Sequence, residues 1–243
     1  MSNLFYKYRP LGTKKYFERI LEIIWKEELH ASNFTRFNDI NEGLYYVKNF
    51  DKKQATNIYK QKSGKNICSF SSKDEINFQD DMLMWAHYGN SNIGVRIEFA
   101  LKNQESLDIK PIRYGTHLAF EDIETISLQD IEQILTTKHK MWEYEREYRI
   151  FTKNNKVDIE IKNIVLGLGL YNNKSRVTGE QMKFDIKYKA EILSIVSLSK
   201  LKNIDVYKYK IFYYDEQNFT TNAYLEKIEK VDDIDFNTKD RNL

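Results

Sequence analysis

The stretch MWEYEREYRIF, residues 141–151, sets Glu143, Glu145 and Glu147 at alternate positions ahead of an aromatic and β-branched run. In an extended chain, residues two apart point to one face. Read that way, Glu145 and Glu147 stand side by side, and each raises the cost of ionising the other. Either Arg146 and Arg149 neutralise the pair or the pair has a task. The run EYRIFT that follows predicts a strand, and the elements around it decide the fold class.

Upstream of this stretch, SLQDIEQILTTKH, 127–139, predicts a helix opened by a capping-box-like Ser127/Asp130 pair. DIKPIRY reads as a strand confined to a sheet edge by Pro111. IGVRIEFA, 93–100, alternates cleanly, with Ile93, Val95, Ile97 and Phe99 inward and Arg96 and Glu98 outward. FQDDMLMWAHYG, 78–89, predicts a helix with an acidic first turn, closed by Gly89. NICSFSS, 66–72, is a short strand whose Ser69 and Ser71 share a face. A polar helix is expected within 44–62, after a turn-rich loop whose Asn38–Asp39 pair bonds its own backbone. Phe17, Ile20, Leu21 and Ile24 mark an amphipathic helix over 14–29, and LFYKYRP, 4–10, is a strand stopped by Pro10.

Downstream, VDIEI, IVLGLGL, a helix around 176–190 and the Tyr/Lys alternation of DVYKYKIFYY predict a mixed region. The closing DDIDFNTKDRNL is polar and expected to fray. The class is α+β. Residues 1–156 form the core and 157–243 pack on it as one continuous domain, since no Pro/Gly-rich linker divides them.

Apolar residues make up 41% and aromatic residues 14% of the 243 positions, a globular composition. With 38 basic and 36 acidic residues, the net charge of +2 demands neither nucleic acid nor an anionic membrane. Cys68 stands alone, so neither a disulfide framework nor a Cys-rich zinc site is expected. His30, His87, His117 and His139 lack metal-ligand spacing, so no metal is expected either. There is no long apolar run and no signal-peptide plan, which makes the cytoplasm the expected compartment.

Three marks then fall in order: Arg9 ending the first strand, Ser69–Phe70–Ser71 on a later one, and Glu145–Arg146–Glu147 leading into another. This order resembles the R–S–E class of ADP-ribosyltransferases, with its arginine, its S-T-S-like strand and its Q/E-x-E before a strand. A second resemblance rests on LFYKYRP, FND, CSFS, LMWAHYGNSNIGVRIEF and KMWEYEREYRIF. Together these resemble a bacterial family catalogued as a domain of unknown function, strongly over about residues 4–151.

The transferase resemblance implies an ADP-ribosyltransferase-like split mixed β-sheet core flanked by helices, with NAD as substrate. It assigns Glu147 to the developing ribosyl cation and Glu145 to the acceptor nucleophile. Arg9 would hold the cofactor's phosphates. Ser69 would orient Glu147, with Ser71 supporting the strand or the nicotinamide ribose. Tyr6, Trp85 or Tyr88 would stack on nicotinamide, and His87 would touch substrate. The acceptor is an unspecified protein or nucleic acid, an inhibitory or activating partner is allowed for, and a toxin or phage-defence role follows by analogy. This sequence departs from the class at Phe70, where threonine is usual, and three alternating glutamates leave the register open. GLGL, 167–170, lacks the third glycine of a dinucleotide fingerprint.

Plainer readings stand beside these. Glu145 and Glu147 form a solvated strand edge paired with Arg146 and Arg149; Trp85 and Trp142 anchor the core; His87 sits at the core edge; Cys68 is buried and inert. The Tyr/Lys run at 206–213 is a sheet face with snorkelling lysines, or a stacking surface for single-stranded nucleic acid. NAD glycohydrolysis, non-catalytic binding of a nucleotide or partner, and nucleic-acid binding remain the alternatives.

Overall fold

The computed structural model describes residues 4–37, 39, 41–76, 78–171, 183–215 and 220–237. The class is mixed α/β, a mixed sheet core flanked by helices. Two compact units interleave along the chain. One comprises Met1–Phe5, Glu28–Asp80 and Leu101–Ile159; the other comprises Tyr6–Glu27, Asp81–Ala100 and Glu160–Leu243.

In the first unit, Glu147–Thr152 runs antiparallel to Asn66–Ser72 on one side and to Ile109–Pro111 on the other. Leu4, at the start of the strand Leu4–Pro10, accepts from the Lys73 N–H at 3.0 Å. Ile109–Pro111 ends the strand order, in keeping with Pro111, which has no N–H to offer a further neighbour. Two small parallel pairs flank these strands: Tyr45–Asn49 with Leu118–Asp122, and Arg113–Gly115 with Thr137–His139. The polar helix lies at Lys52–Ser63, capped by Asp51, and Tyr45–Asn49 is a strand rather than part of it. Its aromatic and β-branched residues favour that choice. The capping box of Ser127 and Asp130 is present, but its helix ends at Leu135 and Thr137–His139 is extended. Asp39 accepts from the Asn41 N–H at 2.9 Å, the local bond expected of that loop; Asn38 lies outside the described residues. Phe34, Ile58, Ile67, Ile123, Ile131 and Leu135 form a buried apolar cluster.

In the second unit the rest of Leu4–Pro10 is followed in strand order by Gly94–Leu101, Lys156–Leu166, Asp205–Asp215 and Thr220–Lys227. Lys156–Leu166 and Asp205–Asp215 are parallel, while Asp205–Asp215 and Thr220–Lys227 are antiparallel. Helix Lys14–Lys26 buries Ile20, Ile23 and Ile24 and stops at Glu27, whose left-handed φ of 52° ends it three residues after Ile24. It packs against helix Lys189–Leu201. Much of the helix expected around 176–190 lies outside the described residues, and the described helix starts at Lys189. Phe236–Asn237 pairs with Phe184–Asp185, so the polar C-terminal stretch is tied down as far as Asn237.

The alternation of Gly94–Leu101 does not send Arg96 and Glu98 to solvent; both are buried. Tyr6, Tyr8 and Asp81 cover that second face. Arg96 Nη1 lies 2.7 Å from Asp81 Oδ1, Tyr8 donates to the same carboxylate, and the guanidinium sits 4.3 Å from the Tyr6 ring centre. A strand covered on both faces needs paired charges where a half-exposed strand would show them to water. The GLGL glycines serve packing. A Cβ on Gly167 would fall 2.2 Å from the Asn92 carbonyl oxygen, and the Gly169 N–H donates to that oxygen at 2.8 Å.

Candidate site: a buried chain of charges at Glu145 and Glu147

Glu147 opens its strand, and the register sets it opposite Ser71, with Arg149 opposite Ser69. These four residues therefore share one face. The segment before it is not extended: Lys140–Glu145 forms a 3₁₀ helix, begun by His139, whose Nδ1 accepts from the Met141 N–H at 3.2 Å. Arg146 then adopts a left-handed φ of 44°. Glu145 and Glu147 are thus not strand neighbours, yet the turn brings both carboxylates to one ammonium. Lys138 Nζ lies 2.5 Å from Glu145 Oε2 and 3.3 Å from Glu147 Oε2.

Arg149 grips Glu147 from the other side, Nε to Oε1 at 2.7 Å and Nη2 to Oε2 at 3.2 Å. Its Nη1 reaches Glu42 Oε1 at 2.6 Å and also donates to the Leu135 carbonyl. The Tyr114 hydroxyl accepts from the Glu147 N–H at 2.8 Å. The Trp142 ring centre lies 4.8 Å from Lys138 Nζ. Three carboxyl groups and two cations give the chain Glu42–Arg149–Glu147–Lys138–Glu145 a formal charge of −1 with every carboxyl counted as ionised. Arg149 is 0% exposed, Glu145 3%, Lys138 4% and Glu147 7%.

Electrostatics holds Glu147 and Lys138 in their charged forms. Burial by itself would raise the Glu147 pKa, but Arg149 first and Lys138 next outweigh it and hold the carboxyl at about 2. Burial acts against the Lys138 ammonium, and the two glutamates overcome it, leaving its pKa raised. Burial pushes the Tyr114 phenol well above its usual range.

The three-glutamate register is therefore resolved in space. Glu145 and Glu147 are the convergent pair, while Glu143 is 44% exposed at its side chain and lies 3.9 Å from Arg146. Arg146 also points its Nε to Asp80 at 3.4 Å, so the neutralising groups are Arg149 and Lys138. A solvated strand edge is not what the pair forms. Ser71, 2% exposed, holds the position across from Glu147 that the resemblance gave to Ser69.

The remaining candidates belong to the second unit. Arg9 is half-buried near the end of its strand. Trp85 is 1% exposed and meets Tyr8 edge to face at 5.4 Å, which makes it a core anchor rather than an open stacking platform. Tyr6 lies under Arg96, with its phenol pushed up to about 12, mainly by burial. His87 is exposed on its helix, not at the core edge, and its ring centre is 6.5 Å from that of the half-buried Tyr88. In the first unit, Cys68 is buried, as read from the sequence.

Sequence reasoning missed Lys138, Glu42 and Tyr114. Lys138 carried one usable sign, the Thr136–Thr137 pair that breaks the helix and makes the lysine part of a strand. Glu42 sits in a loop with no pattern to mark it. A cavity of about 270 Å³ is lined by Leu4, Phe5, Ser72, Asp74, Glu75 and Tyr148, among others, and by none of the charged chain. No helix among the described residues is long and apolar enough to cross a membrane.

No curated protein and no solved structure matches the chain significantly. Residues 84–150, which carry Tyr114, Lys138, Glu145, Glu147 and Arg149 but not Glu42 or the serine strand, match the model of a family described as a protein of unknown function, DUF2971.

Proposed function

We propose that the protein consumes NAD and transfers its ADP-ribose to a macromolecular acceptor. One observation carries this reading: the carboxylates of Glu145 and Glu147 converge on a single point beside the serine strand. Cleavage of the bond between ribose C1′ and the nicotinamide nitrogen sends the electron pair out with nicotinamide and builds positive charge on the sugar. An ionised carboxylate held in place stabilises that charge as it develops. Glu147 suits the role because Arg149 both keeps it ionised and fixes its orientation. The acceptor nucleophile then bonds to C1′ and gives its proton to Glu145.

The test is labelled NAD with a whole-cell lysate, wild type beside Glu147→Gln. Label on protein or nucleic acid with wild type alone supports the transferase and identifies the acceptor class. Free ADP-ribose with wild type alone makes it a glycohydrolase. The burial and full pairing of Glu145 and Glu147 favour a second reading, a non-catalytic module that binds a nucleotide or partner. Ligand-dependent melting shifts without turnover would establish that one.

A further inference from the structure

Lys138 occupies the point on which the proposed chemistry turns. Its ammonium contacts two carboxyl groups and lies over the Trp142 ring. Two carboxylates and an indole face are the groups that recognise an organic cation of any origin. The strand that carries it is short: Thr137–His139 pairs, among the described residues, only with Arg113–Gly115.

Charge decides what can replace it. With Lys138 in place the formal charge of the cluster is −1, and with Lys138 withdrawn it would be −2 in a setting almost closed to water. A neutral ligand leaves that excess uncompensated, whereas a ligand of charge +1 restores the original balance. The nicotinamide ring of NAD carries that charge, and the ribose carbon beside it gains cationic character as the bond breaks.

We propose that Glu145, Glu147 and Trp142 form a cation site whose internal occupant is Lys138, and that the cationic nicotinamide end of NAD displaces it. This inference rests on the NAD reading above. It makes Lys138 a lock: the resting protein is closed by its own side chain, and substrate opens it by cation-for-cation exchange.

The experiment is acetylation of the full-length wild-type protein by an amine-reactive ester, read at Lys138 by peptide mass spectrometry, with exposed Lys14 as internal standard. It is run without ligand, with NAD and with NADH, whose dihydronicotinamide ring is uncharged. Melting shifts record binding in parallel. NAD, and not NADH, should speed acetylation of Lys138 by about tenfold or more relative to Lys14. Equal effects of NAD and NADH would overturn the cation requirement. NAD binding or turnover with Lys138 still protected would overturn the displacement and leave the NAD reading standing. The same measurements on Lys138→Gln separate the remaining cases. NAD binding by that variant and not by wild type supports the lock. If neither protein binds NAD, the NAD reading fails and the lock fails with it.

Discussion

Arg149 is a residue whose loss the fold should feel strongly. Its guanidinium is fully buried and answers two carboxylates, Glu147 at 2.7 and 3.2 Å and Glu42 at 2.6 Å. Arg149→Met keeps the length and apolar stem but removes the charge, so the cluster goes from −1 to −2. Breaking a buried pair by removing one partner costs about 3–5 kcal/mol, because the other charge is left uncompensated. In a chain of this size each kcal/mol moves the melting midpoint by about 2–4 °C, so the expected fall is about 6–20 °C. Circular dichroism melting at neutral pH measures it. Adding Glu147→Gln removes one stranded carboxylate and returns the cluster to −1. The double variant should therefore melt above the sum of the two single effects, with a coupling of about 1–3 kcal/mol. A single variant that melts within a degree or two of wild type, or a strictly additive double variant, would refute the account of the cluster as a linked set of charges.

Acid should weaken the fold through the same residue. The Glu147 carboxyl is held at about 2 in the folded protein, below the ordinary glutamate value of 4.5. Its stabilising contribution is complete above about pH 4.5 and is lost as pH falls towards 2. Urea midpoints between pH 6 and pH 3 should fall less steeply for Glu147→Gln than for wild type; parallel curves would contradict the assignment. In the second unit, a Cβ added at Gly94 would lie 2.3 Å from the Arg9 carbonyl oxygen. Gly94→Ala must part the two backbones there, and its melting midpoint should drop by several degrees; an unchanged midpoint would show that the strands yield freely.

What could be read from the sequence was set by local rules. Ser127 and Asp130 cap their helix because the two signals sit three residues apart, and Pro111 marks an edge because it lacks a donor. The Glu-x-Glu before a strand was equally legible. Its geometry was not, because Arg146 takes a left-handed backbone that a non-glycine side chain disfavours and no local pattern announces. Arg96 and Glu98 looked solvent-facing because alternation reports which residues share a face, and what covers each face is decided by distant segments. Lys138 and Glu42 escaped for the same reason: they join the site through tertiary contacts seven or more residues from their partners.

Stability alone does not account for the composition of the charged chain. Replacing a buried ion network by well-packed apolar side chains is often neutral or stabilising, by about 1–4 kcal/mol. A balanced network would also cost less than one with an extra carboxylate. Counted with every carboxyl ionised, the chain has one more negative than positive group. Glu42 Oε2 is buried and makes no hydrogen bond among the described residues, while Arg149 is already shared between two glutamates. A fold selected only for rigidity gains nothing from the third carboxylate. A site that must accept a cation gains from it directly, since the surplus negative charge lowers the cost of bringing a positive centre out of water. The three alternating glutamates of residues 141–151 thus divide the work: Glu143 faces solvent, and Glu145 and Glu147 hold a place for positive charge that Lys138 fills at rest.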